Sequence, residues 1–200
     1  MPSTPFSPSI PSRPVYAGLV SQGSTPSLML ADAEGALALA DLAARDPAVM
    51  ARAHLIYVPA GSDHSARLQA LRPAQFYQAP SFATALPRLR KALVDAHMGT
   101  AVYLAGTEGL IGQALAEALA AGLPLDAVQC EHRGSIARRM QCVHCKGVTE
   151  NVTTDPFTCS HCGLTLFVRD HYSRRLAAFQ GVCVDAETPG EIPDTQEIRP

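Results

Sequence analysis

Four of the six cysteines in this 200-residue chain form two Cys-x-x-Cys pairs, Cys142 with Cys145 and Cys159 with Cys162. A Cys-x-x-Cys turn is tight enough to aim two thiolates at one ion, so two such turns supply the four sulfurs of a tetrahedral site. Residues 146–158 separate the pairs, enough for a strand out, a turn and a strand back. VTENVTT has the β-branched alternation of a hairpin, Asp155-Pro156 supplies a bend, and LTLFVRD follows as a further strand. Gly163, just after the second pair, stands where a knuckle often needs a positive φ. The expectation is a zinc ribbon liganded by Cys142, Cys145, Cys159 and Cys162, with iron as the alternative occupant because tetrahedral sulfur suits both. A redox dithiol would need one motif at the start of a βαβ helix, whereas both lie in strand-rich sequence. His144 and His161 sit inside the loops and are read as exposed; Cys130 and Cys183 have no partner at metal spacing.

Around the cysteines lie Arg133, Arg138, Arg139, Arg169, His171, Arg174 and Arg175. Such a cluster could meet nucleic acid or an acidic protein surface. The net charge of −2 and the scarcity of interleaved aromatics, Phe167 and Tyr172 alone, make nucleic acid the weaker reading.

A small cysteine-bearing segment needs something to stand on, and the preceding sequence provides it. SLMLA, HLIYVPA, AQFYQAP and AVYLAG read as short apolar strands, and alanine- and leucine-rich helical runs alternate with them. ALPRLRKALVDAH carries Leu86, Leu89 and Leu93 on one side; LIGQALAEALAAG repeats apolar residues at Ile111, Leu115, Ala118 and Leu119, with Gly122 as its stop. Strands alternating with helices of this length predict βαβ units and a parallel sheet. The expected organisation is a leader over 1–24, an α/β domain over 25–134, the ribbon over 135–184 and an acidic tail over 185–200. Prolines at 2, 5, 8, 11 and 14 give the leader the period of a polyproline II rod, and both ends read as disordered. An apolar content of 47% suits a buried core. No apolar run is long enough to span a bilayer, and MPSTPFSPSI lacks the pattern of a secretory signal, so a cytoplasmic protein without membrane contact is expected.

The string VTENVTTDPFTCSHCGLTLFVRDHYSRRLAAFQGVCVDAE resembles the C-terminal signature of the DmmA family, a subunit of dimethylamine monooxygenase. AVYLAGTEGLIGQALAEALAAGLPLDAVQCEH is similar to the last strand–helix unit of the nicotinamide-binding half of ferredoxin-reductase-type oxidoreductases. In that comparison Ala105-Gly106-Thr107 replaces the family's Cys-Gly-Pro turn, and Glu131 falls near its terminal acidic residue. LMLADAEGALALA stands where the glycine-rich phosphate loop would be, with Asp32, Glu34 and the single Gly35. Two carboxylates at a helix start repel a pyrophosphate, so a reductase-like module without its cofactor site is expected. The resemblance implies a subunit of a multicomponent, NADPH-dependent enzyme that oxidatively demethylates dimethylamine to methylamine and formaldehyde. It also implies partners that carry the chemistry: a haem-containing monooxygenase subunit and a reductase with FMN and a 2Fe-2S cluster. For this chain it leaves an assembly role, with no catalytic and no cofactor-binding residue expected. A rubredoxin-like iron carrier and a nucleic-acid-binding ribbon are the alternatives.

Overall fold

The computed structural model describes residues 11–198 and divides into two compact units. One is Tyr16–Gly134; the other combines residues 11–15 with residues 135–198. Pro2, Pro5 and Pro8 of the proline series lie outside the described residues.

The first unit is a three-layer α/β sandwich. Its strands are β1 (Ser27–Asp32), β2 (Ala53–Val58), β3 (Gln75–Gln78), β4 (Ala101–Gly106) and β5 (Val128–His132). They pair in the order β3-β2-β1-β4-β5, all parallel, the doubly wound arrangement. Strand period does the sorting here. Met29 and Ala31 face one side with Leu55, Tyr57 and Tyr103, where α1 (Gly35–Arg45) and α2 (Ser65–Ala70) supply Leu39, Leu42 and Leu68. Leu28 and Leu30 face the other side with Ile56, Val102 and Leu104. There α3 (Phe82–Val94) contributes Ala85, Leu89 and Leu93, and α4 (Glu108–Ala120) contributes Ile111, Ala114 and Ala118. Because both faces are covered, β1 and β4 are buried along their whole length, which is why they read as unbroken apolar runs. Ser81 and Thr107 cap α3 and α4 by accepting from the amides of Thr84 and Leu110. Gly122, at φ +94°, ends α4 as its position suggested.

The disorder expected of residues 1–24 does not extend to residues 16–22. Leu19 is 2% exposed and joins the core beside α1, and the Gly18 amide donates to the Cys130 carbonyl at 3.2 Å. Burial of Leu19, worth about 1.5–3 kcal/mol, acts together with hydrogen bonds from Leu19 N to Glu131, from Gln22 N to the Tyr103 hydroxyl and from Arg45 to Leu19 O.

In the second unit, β6 (Arg138–Cys142), β7 (Val148–Val152), β9 (Phe157–Thr158), β10 (Thr165–Ser173) and β11 (Ala178–Cys183) form a sheet in the order β7-β6-β11-β10-β9. Its core holds Met140, Val152, Phe157, Leu166 and Phe179. Here the strand pairing differs from the expected single hairpin. β7 turns back onto β6, and β9 pairs with β10, so each Cys-x-x-Cys turn caps its own hairpin. β8 (Thr154–Asp155) instead pairs with β12 (Gln196–Glu197) from the acidic tail. The tail is therefore ordered at its end: Ile198 is buried in this core and its amide donates to the Thr153 carbonyl.

Candidate metal centre

The two hairpin ends bring the four predicted cysteines together. Their sulfurs all lie within 4.8 Å of one another, with Cys142 Sγ to Cys162 Sγ at 3.9 Å and Cys145 Sγ to Cys159 Sγ at 3.7 Å. No disulfide joins any of the six cysteines. A tetrahedron with sulfur about 2.3 Å from a central metal requires sulfur–sulfur separations of roughly 3.8 Å. The donor set thus fits a metal in both chemistry and spacing.

Each turn is built the same way. Lys146 N donates to Cys142 O and Gly163 N to Cys159 O, both at 3.0 Å, and each donor residue has positive φ. That accounts for Gly163; Lys146 adopts the left-handed conformation without being glycine. Cys142 N donates to Gly147 O and Cys159 N to Leu164 O, closing each knuckle. The Gly147 amide points at Cys145 Sγ at 3.4 Å. Cys142 and Cys159 are buried, Cys162 is partly buried and Cys145 is exposed. Burial opposes ionisation of Cys159, but the Cys162 and His161 amides and the neighbouring thiols outweigh it and bring its pKa to about 6. For Cys162 the Leu164 amide favours the thiolate, yet burial and the adjoining sulfurs push it up to about 12.

His144 and His161 are both exposed. His161 has a role the sequence does not reveal: its Nε2 lies 2.9 Å from the Val148 carbonyl, and its ring fills the space where a side chain on Gly147 would go. Burial pushes the Cys130 thiol up to about 12, and Cys183 Sγ donates to Asp185 at 3.0 Å.

Three of the clustered arginines are engaged by partners within their own units. Arg138 is buried, bonds Asp170 at 2.8 Å and stacks over Phe179. Arg139 pairs with Glu150, and Arg133 belongs to the α/β unit, where it meets Glu131 and Asp41. Each of these three therefore has a carboxylate partner within the protein, Asp170 being shared between Arg138 and Arg13.

The switch point of the sheet, between the carboxyl ends of β1 and β4, is where α/β proteins of this order hold ligands. In this chain a buried carboxylate and its hydroxyl partner stand there. Asp32 is buried and accepts from Thr107 N at 2.8 Å and Thr107 Oγ1 at 2.6 Å. Burial raises its pKa despite those bonds. A side chain on Gly106 (φ +131°) would collide with Asp32 Oδ1, and one on Gly35 with the backbone of Ala105. Glu34 precedes α1 and lies 3.3 Å from His64 Nε2; the His64 and Ser62 bonds lower its pKa. Glu131 is buried, accepting from Leu19 N and Arg133 Nε. Thr107 stood out in the sequence only as part of the Ala105-Gly106-Thr107 turn; its bonds to Asp32 left no signal, because the two lie far apart in the chain.

The fold and the site define a class of protein: a doubly wound α/β unit joined to a β unit built around four clustered cysteines. The chain belongs to the DmmA-like family, described as dimethylamine monooxygenase subunit DmmA-like, whose N-terminal domain matches residues 8–128 and C-terminal domain residues 139–182. The heme-dependent oxidative N-demethylase delta subunit of Ectopseudomonas mendocina (strain ymp) is 37% identical over 110 residues, which cover 55% of this chain and 63% of that protein. Among solved structures, an intact type IV self-sufficient cytochrome P450 monooxygenase is similar at 18% identity and a TM-score of 0.42, over 79% of this chain and 20% of that one. Among the described residues no helix is long and apolar enough to cross a membrane.

Proposed function

We propose that this chain is a subunit of a multicomponent, NADPH-dependent oxidative N-demethylase acting on dimethylamine, and that its own task is assembly rather than catalysis. Support comes from membership of the DmmA-like family and from the relative named as a delta subunit of a heme-dependent oxidative N-demethylase. On this reading, oxygen chemistry falls to a haem-containing partner, and electrons come from a partner with FMN and a 2Fe-2S cluster. The proposed division is an α/β domain over 25–134 and a ribbon over 135–184. Cys142, Cys145, Cys159 and Cys162 hold one zinc ion whose four protein ligands leave no position for substrate. The observation that carries the structural role is the closed set of four sulfurs within 4.8 Å of one another. Asp32 at the switch point, engaged by Thr107, fits a chain that leaves nucleotide binding to a partner.

The same four sulfurs would suit a one-electron iron centre. The exposure of Cys145, which would give electrons a short way in, favours that second reading. The assembly role is tested by purifying the tagged chain from its native cells. Haem and flavin absorbance should comigrate with it at a fixed ratio, together with dimethylamine-dependent formaldehyde formation. A colourless chain that elutes alone and is dispensable for that activity would sink the proposal.

A further inference from the structure

At the amino-terminal edge of the parallel sheet, opposite the switch point, lies a cavity of about 440 Å³. It opens at the starts of β1, β2 and β3, beside the last turn of α3, and is large enough for a small ligand. Its charged lining is Arg52, Arg88, Lys91 and Asp95, an excess of two positive charges with the histidines neutral.

These cations are not equivalent. Arg52 is occupied: Nε donates to the Thr25 carbonyl at 3.3 Å, Nη2 bonds Gly23 O, and Asp46 lies 3.6 Å away. Lys91 reaches Asp95 at 2.9 Å, an exposed pair of the kind that contributes little and exchanges readily. Arg88 is different. Its Nε donates to His54 Nε2 at 3.1 Å, its Nη2 donates to Gln75 Oε1 at 3.0 Å, and it lies over the Tyr77 ring at 5.7 Å. Those partners are a ring nitrogen, a carboxamide and an aromatic face. Among the described residues no carboxylate lies within ion-pair distance of Arg88.

Because His54 Nε2 accepts this bond, its proton must sit on Nδ1 and the ring must be neutral. Burial first, and the Arg88 charge second, lower its pKa accordingly. Side chains from β2 and β3 thus orient the guanidinium of a half-buried arginine without supplying a carboxylate to its charge. With Nε and one Nη2 hydrogen engaged, the Nη1–Nη2 end of the fork keeps the two parallel N–H donors that an oxyanion can accept.

We propose that this pocket binds the oxyanion of a small ligand, a carboxylate or a phosphate, through Arg88, with Lys91 as the second cation. It is distinct from the switch-point crevice and independent of the metal centre, whose cysteines belong to the other unit.

The test is a titration of the full chain, followed by amide chemical shifts, with citrate in one arm and inorganic phosphate in the other at constant ionic strength. Saturable shifts are expected at His54, Gln75 and Lys91, and the tighter arm identifies the oxyanion. Arg88→Met should weaken binding about ten- to a hundredfold, the loss expected for charge-assisted hydrogen bonds. Lys91→Met, at an exposed position that tolerates replacement, should weaken it several-fold. Arg90→Gln, on the same helix but paired with Glu117 and outside the cavity, should leave it unchanged. Absence of saturable shifts in both arms overturns the proposal. So does wild-type affinity in a folded Arg88→Met variant, or undiminished affinity in Lys91→Met should Arg88→Met fail to fold.

Discussion

Gly35→Ala is the sharpest test of how the α/β unit is closed at its switch point. A Cβ at residue 35 would lie 2.2 Å from the Ala105 carbonyl oxygen, 2.4 Å from its carbon and 2.7 Å from Gly106 Cα. Ordinary contact begins near 3.4 Å, so α1 and β4 must separate by about 1 Å at their closest approach. All three obstructing atoms are backbone, in a strand hydrogen-bonded between β1 and β5, and no rotamer change relieves them. Overpacking of this kind costs about 1–3 kcal/mol, and the rigid neighbours put this site at the upper end. Alanine's better helix propensity returns at most about 1 kcal/mol, leaving a net loss of about 2 kcal/mol. Urea unfolding followed by far-ultraviolet circular dichroism reads this directly, since α1–α4 all belong to this unit. The midpoint should fall with little change in slope. Gly109→Ala is the control: it also sits in a helix, but its Cβ would meet nothing within 4 Å, so it should be neutral or slightly stabilising. A Gly35→Ala variant as stable as the Gly109→Ala one would refute the argument.

Three further outcomes follow from other parts of the molecule. Tyr57→Phe removes a fully buried hydroxyl that lies 2.8 Å from Ser62 O and accepts from His64 N at 3.0 Å; the loss should be about 1–3 kcal/mol in the same unfolding assay. His54 has its pKa lowered by burial and by Arg88, so its contribution to stability is fully present above its ordinary value of 6.5. As pH falls below that value the unfolded chain takes up the proton first and the contribution is lost; His54→Gln should flatten the stability profile between pH 7 and 5. Chelation should melt the strand structure of the cysteine-bearing unit while the helical signal of the α/β unit persists, as amide exchange resolved by residue would record; undisturbed protection at Met140 and Phe179 after complete metal removal would contradict the clamp.

The parts most legible in the sequence were those governed by local pattern. AVYLAG announced β4 because a strand covered on both faces needs apolar residues throughout, and the α4 repeat needed only its own period. The cysteine cluster was legible for a similar reason, since each pair forms within one turn. What escaped depends on distant partners. α2, six residues long, is too short to show a period. β8 and β9 are two residues each, and whether β7 pairs forward or back onto β6 is decided by the sheet rather than by VTENVTT. The arginines looked like one cluster because nothing local tells that Asp170 and Glu150 pair with two of them. The Arg88 pocket was invisible for the same reason: its guanidinium is on α3, its acceptors on β2 and β3.

Elemental analysis with a visible spectrum on the purified chain decides whether Cys142, Cys145, Cys159 and Cys162 hold the structural zinc proposed for them. One zinc per chain is expected, with no absorbance in the visible range and loss of that zinc when Cys142 and Cys159 are replaced by serine. One iron per chain, with a colour that bleaches on reduction, would contradict it and make the centre an electron carrier.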